Sequence, residues 1–293
     1  MNKVDLHVHS IYSDDGQYSP EELAELCIKQ GVTTLAITDH NTVEAIPEGI
    51  KAAQKCGITF IAAVELDCFF LDVNLHILGY NIDYHDIRFF KISEDIINQE
   101  KTASAKRLAL VEALGIKLNH NLIKKLSPNN IITGEILAEA ALSDQRNDHH
   151  ELLLPYREGG FRSDNPYVNF YWDYCSQNKP AYVEIKYSSL SDTVDLIKSS
   201  GGIPILAHPG NNLEDGSPLL EGIIASKVEG IEVFSSYHSH SQIQYYLDYA
   251  QKRNLIVTCG SDFHGKTKPS IEIGSTSDDL VINSYLPKLM KNR

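Results

Sequence analysis

The residues in this chain best equipped for chemistry are its histidines and the carboxylates that recur beside them. His7 and His9 form an H-x-H pair in D-L-H-V-H. Asp39 and His40 fall in A-I-T-D-H-N, Glu65 in A-A-V-E-L, His76 in N-L-H-I-L and His208 in I-L-A-H-P-G. Asp262 and His264 fall in C-G-S-D-F-H-G, and Asp14 and Asp15 are neighbours in Y-S-D-D-G. Imidazole nitrogens and carboxylate oxygens suit borderline divalent metals such as zinc, iron or manganese, and a carboxylate can bridge two ions. The donors exceed the needs of a single ion, so two to three divalent metal ions (Mn, Zn or Fe) are expected. Close-spaced ions activate water as a nucleophile and clamp both oxygens of a phosphoryl displacement. No C-x-x-C pair accompanies these motifs, which disfavours a thiolate zinc or iron–sulfur site. There is no G-x-x-x-x-G-K-[ST], no G-x-G-x-x-G after a strand, and no serine or cysteine nucleophile motif.

These donors need elements that converge. Short β-branched or apolar runs predict strands near Val4–Val8, Leu35–Thr38, Thr59–Leu66, Leu75–Tyr80, Ile203–Ala207, Ile231–Phe234 and Ile256–Cys259. Several are near-continuous apolar runs, as in a parallel sheet buried on both faces. Side chains two apart on a strand share a face, so His7 and His9 can reach one ion. Most of the metal-type residues lie at or just past a strand's C-terminal end, the rim on which barrel active sites assemble.

Helices lie between the strands. Ser19-Pro20-Glu21-Glu22 reads as a capping box closed by Gly31, and Asn41 to Glu44 as a second cap before a helix ending near Gly57. Ser189 with Asp192 opens a third helix, which ends at Gly201-Gly202. The alternation predicts α/β architecture, in about seven units a distorted (β/α)7 barrel. From residue 87 to residue 180 no strand is expected; helices over Glu100–Leu114 and Thr133–Leu142 are followed by the polar run S-D-Q-R-N-D-H-H, read as loop. An aromatic-rich piece from Tyr156 to Tyr174 follows, read as a small core or as a lid over substrate. The expected division is a barrel of residues 1–86 and 181–293 carrying the metal site, with residues 87–180 as a helical insertion.

Composition narrows the partners. Hydrophobic residues make up 42% and charged residues 22% of the 293, the balance of a soluble globular protein. A formal charge of −13 argues against extended nucleic-acid binding and against anionic membranes. Bound cations would invert that field locally, so a small phosphorylated substrate remains compatible. Five widely spaced cysteines without C-x-x-C argue against a disulfide framework and for a cytoplasmic location. The first residues carry no basic n-region with a long apolar stretch, and no apolar run approaches the ~20 residues of a membrane span.

Taken together, D-L-H-V-H-S, I-T-D-H-N, L-A-H-P and S-D-F-H resemble the motifs of the PHP family, named for polymerase and histidinol phosphatase. The resemblance implies a distorted (β/α)7 barrel with up to three metals. By motif position, His7, His9, Glu65 and Asp262 would hold the first, and Glu65 would bridge to a second held by His76 and His208. Asp14, with Asp15 beside it, would join His40 and His264 at a third. Catalysis would run through His7, His9, Glu65, Asp262 and His264 by way of the metals.

The barrel with a helical insertion looks most like family phosphoesterases acting on nucleotides or short RNA. Those usually carry Arg-x-His at the start of an insertion helix, where this chain reads T-G-E-I-L from Thr133 to Leu137. Arg162, and less so Arg157, could supply phosphate contacts instead, since guanidinium matches phosphate geometry. His238 in S-S-Y-H-S-H-S could contact phosphate or act as a general acid. The expected activity is hydrolysis of a phosphomonoester, a nucleotide or another small metabolite, by metal-activated water. Histidinol-phosphate hydrolysis and a non-catalytic metal-binding or regulatory role are the rivals; C–N hydrolysis is weakened because no lysine sits in a bridging context.

Overall fold

A computed structural model describes residues 3–276 and 279–290. Contacts group the chain into two units: Met1–Ile92 with Tyr187–Phe263 and Ile271–Arg293, and Ser93–Lys186 with His264–Ser270.

Among the described residues, the first unit holds every strand. β1 (Lys3–Val8), β2 (Val32–Ile37) and β3 (Thr59–Phe60) form a parallel three-stranded sheet in that order. β4 (Ala63–Phe70), β5 (Val73–Tyr80), β6 (Ser188–Ser189), β7 (Ile203–Leu206), β8 (Gly230–Ser235) and β9 (Ile256–Gly260) form a second, ordered β6-β4-β5-β7-β8-β9. The predicted strand Thr59–Leu66 is therefore two strands, one in each sheet. β5 runs antiparallel to both β4 and β7, which departs from the all-parallel expectation. The cause is local: only Leu71 and Asp72 separate β4 from β5, Leu71 has φ 55°, and so short a link can make a hairpin but not a crossover. Isolated parallel bridges, Val8 to Phe263 and His40 to Glu65, link the margins of the two sheets. The architecture is α/β.

Near-continuous apolar sequence matches burial on both faces. All six residues of β8 are buried, and Leu6, Leu66, Ile77, Leu78, Ile205, Ile231 and Val257 share one core. Helix Pro20–Gln30 begins as its sequence predicts. The Ser19 side chain accepts from the Glu22 N–H, the Glu22 side chain accepts from the Ser19 N–H, and Gly31 closes the helix at φ 73°. Helix Leu190–Ser199 is capped by Ser189 in the same position as expected. The cap expected at Asn41–Glu44 is absent: helix Ile46–Cys56 follows Ala45 with no side-chain cap, and Asn41 is used elsewhere.

In the second unit the described residues contain no strand. Helix Ile87–Ala113 enters it from the first unit, followed by His120–Leu126, Gly134–Leu142 and Pro166–Phe170. Its core joins Val111, Leu137, Ala141, Leu153, Tyr156 and Phe170, so the aromatic run does supply a small core, while Phe161 stays 86% exposed. The polar run after Leu142 holds one short turn, Gln145–Asn147, where buried Asn147 donates to the carbonyls of Lys117 and Ala141. No helix among the described residues is long and apolar enough to cross a membrane.

Tyr80 ties the two sheets across the interior. Its fully buried hydroxyl donates to the Leu6 carbonyl at 2.9 Å. Tyr80→Phe is expected to lower unfolding stability by about 1 kcal/mol, the net worth of one such bond. Urea unfolding checks this; an unchanged midpoint would mean the bond contributes nothing.

Candidate metal centre

The strand parity that puts His7 and His9 on one face brings their Nε2 atoms 3.1 Å apart. Glu65 on β4 and Asp262 just past β9 complete a compact group. His7 Nε2 lies 3.2 Å from Glu65 Oε2 and 3.2 Å from Asp262 Oδ1; His9 Nε2 lies 3.2 and 3.1 Å from the same atoms. Donors bound to one ion at roughly 2.0–2.2 Å stand roughly 3.0–3.4 Å apart, so this spacing suits a shared cation. Glu65 Oε2 is buried and accepts no hydrogen bond, although nitrogens of His7, His9 and His40 all stand 3.2 Å from it. Lone pairs turned toward a common point rather than toward protons are what a metal site requires, so the residues fit the group.

The other Glu65 oxygen serves a second group. Oε1 lies 2.9 Å from His76 Nδ1 on β5 and 3.1 Å from His208 Nε2 past β7. A third group contains His9, Asp15 and His40, with His40 Nε2 3.9 Å from Asp15 Oδ2. The structure brings Asp15 into this group, where the sequence expectation had Asp14. Gly16 follows Asp15, and a Cβ there would sit 1.9 Å from the Ser10 carbonyl, so the loop folds back tightly and turns Asp15 inward while Asp14 is exposed. His264 opens the second chain segment of the second unit, is buried, and precedes the turn Gly265–Thr267.

Burial and charge oppose each other throughout. Burial alone would depress the His9 pKa, but the carboxylates of Asp262 and Glu65 hold it up at about 9. His7 is raised well above the ordinary range against the same burial, by Glu65, Glu232 and Asp262. Burial would raise Glu65, yet the surrounding histidines His7, His40, His76 and His208 hold it well below the ordinary carboxylate range. His40 goes the other way, its pKa lowered chiefly by burial.

A ring of partners orients the imidazoles. His7 donates from Nδ1 to Glu232 Oε1 at 3.0 Å, and Glu232 Oε2 accepts from the His208 backbone N–H at 2.8 Å. His9 Nδ1 lies 3.1 Å from Ser13 Oγ, whose hydroxyl donates to Asp39 at 3.0 Å. His208 Nδ1 donates to Asn212 Oδ1 at 2.9 Å. Such partners fix the tautomer and turn the other ring nitrogen inward, where it can ligate. The sequence reading missed Glu232 and Asp67. Their signals were present: a lone acid within the apolar run I-E-V-F, and Asp67 two residues from Glu65, on the same face of β4. Asp5, noted only as part of a motif, is structural; it accepts from the N–H and hydroxyl of Ser261 and the N–H of Gly274.

The two residues expected to contact substrate make other contacts within the protein. His238 donates from Nδ1 to the Val233 carbonyl and accepts the Gly210 N–H at Nε2, so both ring nitrogens serve the backbone. Arg162 lies in the second unit with its guanidinium forked on Asp173 at 3.0 Å through Nε and through Nη2. Arg157 donates to the Leu142 carbonyl and stands 3.4 Å from Asp148.

The PHP domain model matches residues 5–213, so the chain belongs to the PHP family. The chain is 27% identical over 288 residues to a 3',5'-nucleoside bisphosphate phosphatase from Chromobacterium violaceum, spanning 95% of this chain and 93% of that one. It is 28% identical to a 5'-3' exoribonuclease from Haemophilus influenzae, over 97% of both chains. Among solved structures, one from Chromobacterium violaceum, described as an amidohydrolase with bound sulfate and no metal, superposes with TM-score 0.78 at 27% identity, over 94% of this chain and 91% of that one.

The two aspartates can be told apart directly. Asp15→Asn is expected to lower the manganese bound per chain, measured by elemental analysis after gel filtration, while Asp14→Asn leaves it at the wild-type level. The reverse pattern would return the role to Asp14.

Proposed function

We propose that this protein is a metal-dependent phosphoester hydrolase that cleaves a phosphomonoester of a small substrate, a nucleotide or another phosphorylated metabolite. The observation that carries the reading is Glu65, whose two oxygens face two separate groups of imidazoles inside a PHP domain. In this reading His7, His9, Glu65 and Asp262 hold one divalent ion, and Glu65, His76 and His208 a second. Asp15 and His40, with His264 two residues beyond Asp262, serve a third. Ions held there activate water and neutralise phosphoryl oxygens. The chain's own part is to keep the donors fixed. Glu232 and Ser13 orient His7 and His9, and the Asp262 N–H donates to the His7 carbonyl at 2.8 Å, joining β1 to the loop after β9. Residues 1–86 and 181–293 carry this site, and residues 87–180 are an insertion that selects substrate. Five cysteines without a disulfide fit a cytoplasmic enzyme.

The exoribonuclease relative favours a second reading, in which the phosphoester lies at the 5' end of a short RNA. The test is a panel with added manganese: p-nitrophenyl phosphate, mononucleotides and nucleoside bisphosphates, histidinol phosphate, and a short 5'-phosphorylated RNA. Turnover is expected on a small monoester, with His9→Ala and Asp262→Ala reduced about 10²–10³-fold, as when a group stabilising the transition state is lost. Undiminished activity in both variants would sink the metal mechanism. Ions bound without turnover across the panel would favour a regulatory module.

A ligand that binds only the folded chain also stabilises it. Manganese at 100 times its dissociation constant should add about 2.7 kcal/mol. Thermal unfolding should therefore rise on adding manganese and fall back with a chelator; a melting curve indifferent to both would contradict ion binding at this site.

A further inference from the structure

Asp67 has no part in the donor groups assigned above, yet it is built into the same wall. It lies two residues after Glu65 on β4, so the two carboxylates share a face. In the β4–β5 hairpin Asp67 is paired directly with His76. His76 consequently lies between two acids, with Nδ1 2.9 Å from Glu65 Oε1 and Nε2 2.9 Å from Asp67 Oδ1. Asp67 is itself oriented. Its N–H donates to Asn41 Oδ1 at 3.0 Å, and the Asn41 amide donates back to Asp67 Oδ2. Asn41 is held in turn, at φ 56° with its N–H donating to the Glu65 carbonyl at 2.7 Å.

We propose that Asp67 is a positioning residue that decides which nitrogen of His76 ligates. An ionised carboxylate has only acceptors, so His76 must carry its proton on Nε2, and Nδ1 is the nitrogen presented beside Glu65 and His208. This is opposite to His7, His9 and His208, which hold their outer contacts through Nδ1 and face the centre through Nε2. The reversed ring follows from the hairpin: β5 approaches β4 antiparallel, and the residue opposite His76 on that strand is an acid. The inference rests on the reading of His76 as a ligand, but not on any reaction the site performs.

The test uses the full-length chain and zinc, a diamagnetic probe. Wild type, Asp67→Ala and Asp67→Asn are compared by zinc titration, thermal unfolding and nitrogen-15 NMR of the histidine rings in the zinc-loaded protein. Wild type is expected to show His76 ligating through Nδ1 with a proton on Nε2. Asp67→Ala should weaken one zinc by about 10–100-fold, the usual effect of losing such a partner. Asp67→Asn should be no better. Asn41 would still draw its carbonyl, turning its NH₂ toward His76 Nε2 and forcing the proton onto Nδ1. A purely structural role would instead let the near-isosteric Asn rescue both binding and the ring signature. Zinc at Nε2 of His76 in wild type, or wild-type affinity in both variants, would overturn the proposal. If wild type bound no zinc, the ligand assignment itself would fall as well, whereas loss of phosphatase activity with zinc binding intact would touch only the functional reading.

Discussion

A carboxylate removed from water has to be matched by positive charge, and Glu65 imposes that requirement at the centre of the first unit. Its side chain has no exposed surface, yet it is held ionised because five histidines close around it. Its two oxygens divide those histidines into groups, His7, His9 and His40 on one side and His76 and His208 on the other. The strands that carry these residues are far apart in sequence. They meet because the interior between the sheets is otherwise filled by Leu6, Leu66, Ile77 and Val257, leaving the polar groups to gather at one end.

Gathering them requires backbone that regular strands do not provide. Asn41, His208 and Asp262, each just past a strand, have φ of 56°, 22° and 55°. The left-handed region is unfavourable for residues with a Cβ, and such outliers persist only where surrounding contacts over-determine them. Those contacts are present: Asn41 donates to the Glu65 carbonyl, the His208 N–H donates to Glu232, and the Asp262 N–H donates to the His7 carbonyl. The same bonds that stabilise the unusual turns aim the donors. The close packing beneath them is equally specific, since a Cβ on Gly260 would lie 2.0 Å from the His7 Cβ.

A layer of partners behind the donors then converts a polar cluster into a directional one. Glu232, Ser13 and Asn212 hold the outward nitrogens of His7, His9 and His208, and Asp67 faces that of His76. Two of these four partners are acids, which adds negative charge behind a site made to receive cations. Glu232 and Asp67 sit on strands, so their placement comes from sheet register, whereas Ser13 lies in the loop after β1 and Asn212 ends the short helix Pro209–Asn212.

The donor types and their strand-end positions were legible in the sequence by itself, because period-two parity and the motifs around Asp5–His9, His40, Glu65, His208 and Asp262 are local properties. So were the capping box at Ser19 and the lack of strands between β5 and β6. The antiparallel hairpin was not, because a two-residue turn at Leu71–Asp72 looks like any break within a buried apolar stretch. Nor was the choice of Asp15 over Asp14, which depends on how closely Gly16 lets the loop approach Ser10. The buried roles of Glu232 and Asp67 depend on which strands become neighbours, and His238 and Arg162 depend on whether a polar tip meets protein first. The sequence determined which atoms could bind metal; pairing of distant strands decided which of them converge and which nitrogen each turns inward.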